Sequence, residues 1–442
     1  MRTLRSHLRI AAGVALVAPF LGVGAQTTST LTAVERTIAN SIDSHNAEAL
    51  ALLERLVNIN SGTLNVAGVR QVGDVLRAQF DALGFTTRWV DGAGFKRAGH
   101  LVAEHRGSGP KIILIGHLDT VFEPSNPFQK FERLNDSTAR GPGIIDMKGG
   151  DVIMLFALRA LKDAGLLERM NVTVVFNGDE EEAGTPLDSA RKTLIDAAKG
   201  AAAGLGFEDG AGDPKTAVIS RRSAGSWTLK TTGTPAHSGQ IFKPDVGAGA
   251  VYEASRILNA FYTQLSNEQY LTFNPGLAIG GTLVKVDSTG VEGSGAGKRN
   301  VVAGSMEVTG DLRTLSPEQH AKAKKTMQTI VSTHHLPKTS ATIEFDDGYP
   351  PMAPTQGNRR LLAMYDRASR DIGAGGVVAV DPSRAGAADV AFIASIVPMI
   401  IDGIGLSGHD DHSDKETADL RMLPSQTKRA ALVMYRLTRT VP

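Results

Sequence analysis

The segment KIILIGHLDTVF, residues 111–122, passes from an apolar run into a histidine and an aspartate. Residues 112–115 predict a buried strand, and His117 and Asp119 follow it two positions apart. Side chains at that spacing on an extended chain point to the same side. The pair therefore fits either an ordinary polar turn or a metal ligand with an orienting carboxylate.

Acidic residues follow two further apolar segments. In GPGIIDMKGG, Asp146 lies after two isoleucines and before a predicted helix, where aspartate also serves as an N-cap. In VVFNGDEEEAG, four acids at residues 179–182 come directly after a predicted strand. A solvated charge run is one explanation, although cations would relieve the repulsion between these carboxylates. Because neighbouring residues of an extended chain point to opposite sides, one glutamate can bind metal while the next faces a substrate.

Six motifs occur in a fixed order: GHLDTV, GPGIIDMKGG, DEE after a strand, Glu208 in GFEDG, GTPAHSG and HSDKE. Together they resemble the two-zinc exopeptidases, a family that includes glutamate carboxypeptidase, aminoacylase and succinyl-diaminopimelate desuccinylase. The resemblance covers nearly the whole chain after its N-terminal segment and is closest to the carboxypeptidase branch. It implies an α/β catalytic domain with helices on both faces of a mixed sheet, plus an inserted α+β lid and dimerisation domain.

The resemblance also implies two zinc ions per subunit, for which cobalt or manganese could substitute. The implied ligands are one histidine and one glutamate for each ion, and an aspartate shared by both: His117 with Glu208, Glu181 with His412, and Asp146 as the bridge. The chain has no cysteine, so a metal would depend on such side chains.

Three neighbouring residues compete with these assignments. His409 is an alternative to His412, although the HSDKE context favours His412. Asp209 is an alternative to Glu208, and Glu182 is expected to be exposed.

Two further roles concern the reaction itself. The resemblance implies that Asp119 hydrogen-bonds His117 and fixes its tautomer. It makes Glu180 the general base for a water that bridges the metals. Two cations would lower the pKa of that water to about 7. Glu180 would take its proton and pass it to the leaving amine.

The resemblance implies that residues of the predicted inserted unit contact the substrate. His237, in GTPAHSG, would stabilise an oxyanion from the partner subunit, which implies a homodimer through this unit. Arg313 and Asn300 would hold the substrate's free carboxylate, a task that suits the planar guanidinium. An exposed loop histidine and surface strand residues are the alternatives.

Two positions depart from the family pattern. The glycine-threonine-aspartate stretch of the family is here Gly386-Ala387-Ala388-Asp389, so a threonine contact near Gly386 is missing. Tyr349 occupies the place of a basic residue that pairs with glutamate in glutamate-directed members. We therefore expect neutral, hydrophobic C-terminal residues to be preferred over glutamate, since an apolar side chain would pack on the tyrosine ring.

The elements that position these residues follow from hydrophobic periodicity. Strand and helix patterns alternate up to about residue 222, which predicts an α/β sheet with catalytic groups at the carboxyl ends of its strands. Residues 223–345 read as strands with two helices, and an α/β pattern resumes over residues 346–442. We predict a catalytic domain of residues 26–222 and 346–442 around this inserted unit. The glycine-rich residues 293–297 lack a phosphate-loop pattern and predict a flexible loop.

The bulk composition limits the partners. With 442 residues, 42% hydrophobic residues and a formal net charge of +1, the chain gives no electrostatic reason to bind nucleic acid. Three arginines precede an apolar run at residues 10–23, and a small-residue site follows. This layout predicts a signal peptide of residues 1–25; a membrane anchor is the alternative, but the run is short and contains Pro19.

The sequence thus predicts an exported enzyme, periplasmic or secreted, with no membrane attachment after cleavage. Its predicted activity is that of a zinc carboxypeptidase releasing a C-terminal amino acid from small peptides or N-acyl amino acids. An aminoacylase or dipeptidase of the same family is the alternative, and a non-catalytic peptide-binding protein is less favoured because Glu180 accompanies the full ligand set.

Overall fold

The computed structural model describes residues 31–440 of the chain. The predicted signal peptide lies outside this range and stays a prediction. The helices are α1 (Ala33–Ser44), α2 (Asn46–Val57), α3 (Val66–Leu83), α4 (Gly149–Asp163), α5 (Leu187–Ala198), α6 (Ala250–Leu265), α7 (Pro317–Ser332), α8 (Gln356–Asp371) and α9 (Met422–Thr440).

The strands are β1 (Thr86–Asp91), β2 (Gly99–His105), β3 (Lys111–His117), β4 (Glu132–Arg133), β5 (Thr138–Arg140), β6 (Asn171–Asn177), β7 (Ala203–Gly206), β8 (Thr216–Ala217), β9 (Ala224–Thr232), β10 (Thr272–Gly281), β11 (Leu283–Val286), β12 (Gly293–Ala296), β13 (Ser305–Arg313), β14 (Ser340–Tyr349), β15 (Val378–Ala379), β16 (Ile400–Ile401), β17 (Gly408–His409) and β18 (Thr417–Asp419).

A six-stranded mixed sheet carries the larger part of the molecule, in the order β1-β2-β6-β3-β7-β16. Strand β3 lies between β6 and β7 and runs parallel to both. Strands β1 and β2 form an antiparallel edge on the other side of β6. The carboxyl ends of β3, β6 and β7 consequently meet at one edge of the sheet.

Helices cover both faces of this sheet, as predicted. Ile112 and Leu114 belong to a core cluster that includes α4 and α9, whereas Ile113 and Ile115 belong to a cluster that includes Leu194 of α5. This alternation explains why residues 112–115 of β3 are all apolar, since both faces of this part of the strand are buried. The α/β fold class with a mixed sheet is confirmed, and the inserted lid and dimerisation domain stays a prediction.

A second, antiparallel sheet has the order β10-β13-β9-β14 and is formed within residues 224–349. Helices α6 and α7 pack on one face of it, around buried Trp227, Phe261 and Met327. The strand β16 of the first sheet follows this segment in the chain. The domain boundaries after residues 222 and 345 stay predictions, and β14 continues to Tyr349.

One local prediction is wrong. The glycine-rich segment expected to be a flexible loop contains β12, which pairs with β11 as an antiparallel hairpin. Its residues are exposed, so the backbone pairing occurs without the apolar alternation by which strands are recognised.

Candidate metal centre

Three predicted site segments begin where neighbouring parallel strands end. His117 is the last residue of β3, the acidic residues follow β6, and Glu208 lies two residues beyond β7. Because these strands are adjacent in the sheet, their carboxyl ends bring the three segments together.

The first group of potential metal ligands consists of His117, Asp146 and Glu208. One ligand atom of each lies within 4.8 Å of the others. His117 Nε2 is 3.0 Å from Asp146 Oδ1 and 3.7 Å from Glu208 Oε1. His117 is buried, and its Nε2 atom faces the two carboxylates.

The second group consists of Asp146, Glu181 and His412, again with ligand atoms within 4.8 Å of one another. His412 Nε2 lies 2.9 Å from Asp146 Oδ2 and 3.2 Å from Glu181 Oε2. Asp146 therefore presents one carboxylate oxygen to each group. The alternative reading of Asp146 as a helix cap does not hold, since α4 has no side-chain cap.

Asp119 positions several residues of the site through hydrogen bonds. His117 Nδ1 donates to the Asp119 carbonyl oxygen at 3.1 Å, so Nε2 is the ring nitrogen directed toward the site. The Asp119 carboxylate lies 3.5 Å from the same Nδ1 and accepts hydrogen bonds from the backbone N–H groups of Glu180, at 3.0 Å, and Glu181, at 3.1 Å. A single aspartate thus holds both the histidine and the acidic segment.

Two residues that the sequence analysis missed support this arrangement. Thr63 Oγ1 donates to Asp119 Oδ2 at 2.6 Å. Glu416 accepts from the backbone N–H groups of Gly143, Ile145 and Asp146 at 2.9, 2.9 and 3.2 Å. Glu416 belongs to the quoted HSDKE motif, which was a usable signal, whereas the neighbourhood of Thr63 offers none.

The backbone at His412 is unusual. His412 has φ 57° and Asp410 has φ 62°, a left-handed conformation that residues other than glycine adopt rarely. Such conformations persist where surrounding contacts impose them and concentrate at functional sites. Here the conformation accompanies the contacts of the His412 imidazole with Asp146 and Glu181.

The charges of this centre suit a pair of cations. Burial, together with the neighbouring Asp146 charge, raises the pKa of Glu181 to about 7. Burial raises the pKa of Glu208 to about 7 as well, with a further contribution from Asp146. Carboxyl groups in this state hold protons that bound cations would displace.

The hydrogen bonds lead to the same conclusion. Glu181 Oε1 is buried and has no hydrogen-bond partner among the described residues. Burial opposes ionisation of Asp146, but the hydrogen bonds from His117 and His412 hold its pKa below the usual range. The donor set of imidazole and carboxylate therefore fits two divalent transition-metal ions that share Asp146.

A cavity of about 440 Å³ opens onto this centre. Among its lining residues are Glu180, both alternative ligands His409 and Asp209, and Gly386. Burial, with the charges of Asp146 and Asp411, raises the pKa of Asp209 to about 8. The Gly386 carbonyl oxygen accepts from Arg221 at 3.2 Å.

Glu182 lies at the protein surface instead. It pairs with Arg97 at 2.7 Å, and its side chain is 60% exposed. The four consecutive acids thus have different environments, since Asp179 is buried against Arg191, at 2.7 Å, while Glu182 reaches solvent.

The residues predicted to bind the substrate's carboxylate and its oxyanion lie away from the cavity. His237 is exposed and accepts a hydrogen bond at Nδ1 from the Gly239 backbone at 3.1 Å. The Ser238 N–H donates to the Asn300 carbonyl at 2.8 Å, so His237 and Asn300 are close within the second sheet unit, residues 224–349. Arg313 Nε pairs with Asp311 at 3.0 Å. None of His237, Asn300 and Arg313 lines the cavity within this chain.

Tyr349 does not line the cavity either. Its hydroxyl donates to the Glu180 carbonyl oxygen at 2.9 Å and accepts from Arg191. The contact of a substrate side chain with its ring stays a prediction. Tyr349 ends β14 beside the acidic segment, and this proximity of residues far apart in the chain is not evident from the sequence.

This fold and this centre define a metallopeptidase, a hydrolase that acts on peptide bonds. The chain belongs to the peptidase family M20/M25/M40, whose sequence model matches residues 113–439. The predicted family and enzyme class are confirmed.

Two curated relatives cover most of the chain. Carboxypeptidase G2 of Pseudomonas sp. (strain RS-16) is 29% identical over 392 residues, which are 87% of this chain and 88% of the relative. A succinyl-diaminopimelate desuccinylase of Alkalilimnicola ehrlichii is 23% identical over 388 residues, covering 85% of this chain and 96% of the relative.

Solved structures share the fold. The aminopeptidase PepT of Bacillus cereus superposes with a TM-score of 0.69 at 19% identity, covering 89% of this chain and 98% of its own. The YXEP protein of Bacillus subtilis, described as a dinuclear metal-binding peptidase of the M20 family, has a TM-score of 0.61 at 15% identity, covering 90% and 99%.

The geometry distinguishes the two candidate histidines. We expect His412→Ala to lose one of two bound metal ions, because it removes the imidazole that lies 2.9 Å from Asp146 Oδ2. His409→Ala is the matched control and should keep both ions. Metal content after gel filtration, with zinc supplied in excess beforehand, measures the difference. Two ions in His412→Ala and one in His409→Ala would reverse the assignment.

Proposed function

We propose that the protein is an exported two-zinc carboxypeptidase that releases the C-terminal amino acid of small peptides or N-acyl amino acids. The observation that carries the proposal is Asp146, whose two carboxylate oxygens face separate His/Glu sets beside an open cavity. The similarity to carboxypeptidase G2 over most of the chain supports the carboxypeptidase activity.

Glu180 has the position of a general base. It lines the cavity and belongs to neither ligand group, although its neighbour Glu181 belongs to one. Burial, with the charges of Asp389 and Glu208, raises its pKa well above the usual range in the absence of cations. A buried carboxylate of raised pKa accepts a proton readily and later returns it to a leaving amine.

Zinc would supply Lewis-acid polarisation of the scissile carbonyl and an activated water. Zinc is the first choice for a set of imidazole and carboxylate ligands, with cobalt or manganese as substitutes. The residues that would hold the two ions are those of the two ligand groups, with Asp146 common to both.

The proposed export is supported by the N-terminal residues 1–25, with their arginines, apolar run and small-residue site. Within residues 31–440, no helix combines the length and apolarity that crossing a bilayer requires. The proposed destination is the periplasm or the medium.

The proposed homodimer would complete the substrate site. His237 lies in the second sheet unit, away from the cavity of its own chain, and its exposed imidazole is available to a partner. In this arrangement His237 would donate to the developing oxyanion of the substrate held by the other subunit. Arg313 and Asn300 would hold the substrate carboxylate from the same unit.

The proposed base can be tested within the acidic segment itself. Glu180→Ala should retain two metal ions and lose nearly all turnover, because Glu180 moves a proton without ligating a metal. Glu182→Ala, which removes an exposed neighbouring carboxylate, is the matched control and should keep both its metal and its rate. Metal analysis and the hydrolysis of an N-acetyl amino acid measure these effects. Loss of one ion in Glu180→Ala would show that the wrong glutamate has been assigned as base.

The oxyanion role makes a separate prediction. His237→Ala should lower kcat by about 10²–10³-fold with little change in KM, because such a donor acts mainly on the transition state. His334→Ala, a change of a histidine in the same unit, is the control. Mixing His237→Ala with Glu180→Ala subunits should restore part of the activity if the imidazole acts across a dimer. An unchanged rate in His237→Ala would refute the proposed role.

Specificity gives a further test. A free C-terminus should be required, so N-acetylphenylalanine should be hydrolysed and its amide should not. Neutral C-terminal residues should be preferred over glutamate, here because Asp410 and Asp411 line the cavity and would repel a second carboxylate. The values of kcat/KM for N-acetyl derivatives of Phe, Leu, Ala and Glu provide the measurement. A tenfold advantage of glutamate would contradict this preference.

A further inference from the structure

Tyr349 lies at the joint between the two sheets. The chain enters the second sheet at Ala224, the first residue of β9, and leaves it at Tyr349, the last residue of β14. These two residues are paired with each other. Gly348 has φ 51°, and a Cβ atom there would lie 2.0 Å from the Ala224 carbonyl oxygen. The close approach of the two chain segments therefore requires glycine and fixes the backbone next to Tyr349.

The Tyr349 side chain leaves this joint and reaches the acidic segment. Its hydroxyl donates to the Glu180 carbonyl oxygen at 2.9 Å and accepts from the Arg191 guanidinium. Its ring packs edge-on against Phe392, with centroids 4.8 Å apart. With both its donor and its acceptor engaged, the hydroxyl has one defined orientation.

Arg191 is itself immobilised. It is fully buried and donates to the Asp179 carboxylate at 2.7 Å and to the Asp179 carbonyl at 3.0 Å. Its Nε lies 2.7 Å from Asp389 Oδ1. A buried guanidinium with two carboxylate partners keeps a fixed position, since moving it would leave charges unpaired. Arg191 thus anchors the hydroxyl of Tyr349.

Glu180 is consequently held on both sides of its backbone. Its N–H donates to Asp119, the residue that also orients His117, at 3.0 Å. Its carbonyl accepts from Tyr349. The first hydrogen bond connects Glu180 to the residue that orients the metal ligand His117. The second connects it to the last residue of β14 in the second sheet.

We propose that Tyr349 is a positioning residue for Glu180. Its hydroxyl holds the carbonyl oxygen of the base, so the position of the paired residues Ala224 and Tyr349 determines where the Glu180 carboxylate lies. The proposal rests on the proposed role of Glu180 as general base. It replaces the expectation that Tyr349 contacts the substrate's side chain, and it assigns the tyrosine an effect on rate without one on binding.

The test is Tyr349→Phe, which keeps the ring contact with Phe392 and removes only the hydroxyl. We expect kcat to fall about tenfold, because a small displacement of a catalytic group is costly, while KM stays within about twofold. Tyr365→Phe is the matched control: Tyr365 is also buried, its hydroxyl also bonds an arginine, Arg429, and it lies in α8. Rates of zinc-loaded protein on the best N-acetyl amino acid are normalised to metal-bound sites, so that unfolded protein does not contribute.

The possible results separate the two proposals. An unchanged kcat in Tyr349→Phe, with Glu180→Ala inactive, would overturn the positioning role alone. A raised KM at constant kcat would also overturn it and would return Tyr349 to the substrate pocket. If Glu180→Ala retained turnover, the proposed base itself would be wrong, whatever Tyr349→Phe did.

Discussion

The carboxylate of Asp146 is the interaction on which the rest of the site depends. Its two oxygens lie 3.0 Å from a nitrogen of His117 and 2.9 Å from one of His412. His117 is the last residue of β3, and His412 lies in the C-terminal part of the chain, 295 positions further on. The shared carboxylate therefore requires a complete fold, because its two histidine partners lie on segments far apart in the chain.

Carboxylates outside the two ligand groups supply the precision of this arrangement. Asp119 accepts from the backbone of Glu180 and Glu181, and Glu416 accepts from the backbone of the turn that carries Asp146. Hydrogen bonds from backbone N–H groups to an ionised carboxylate are strong and directional, and the pKa of Asp119 is lowered, although burial acts against this, because His117, Thr63 and the Glu180 N–H donate to its carboxylate. Both acids thus fix the backbone from which the ligands project, and ligands fixed in this way need little reorganisation when a metal binds.

The two sheets divide the chemical tasks. The first sheet supplies His117 and the segments of Glu181 and Glu208 from its strand ends, while Asp146 follows β5 and His412 lies between β17 and β18 of a separate four-stranded sheet. The second sheet carries the exposed His237 and the Arg313 side chain, outside the cavity of the same chain. The contact of Tyr349 with Glu180 joins the units at the point where the chain passes between them.

Much of this molecule could be read from its sequence. The apolar run of β3 and the alternation of strands with helices predicted the mixed sheet, because burial on both faces leaves a direct hydrophobic signature. The ligand types at strand ends, with the six ordered motifs, pointed to the family and to the histidine and carboxylate residues that form the two potential ligand groups. The tertiary structure decided what depends on contacts between distant segments: Tyr349 against Glu180, Thr63 against Asp119, and β11 against the exposed glycine-rich β12. Such contacts leave no periodic pattern in the sequence. A hydrogen bond between residues far apart in the chain fixes their positions in space but places no requirement on the types of the neighbouring residues.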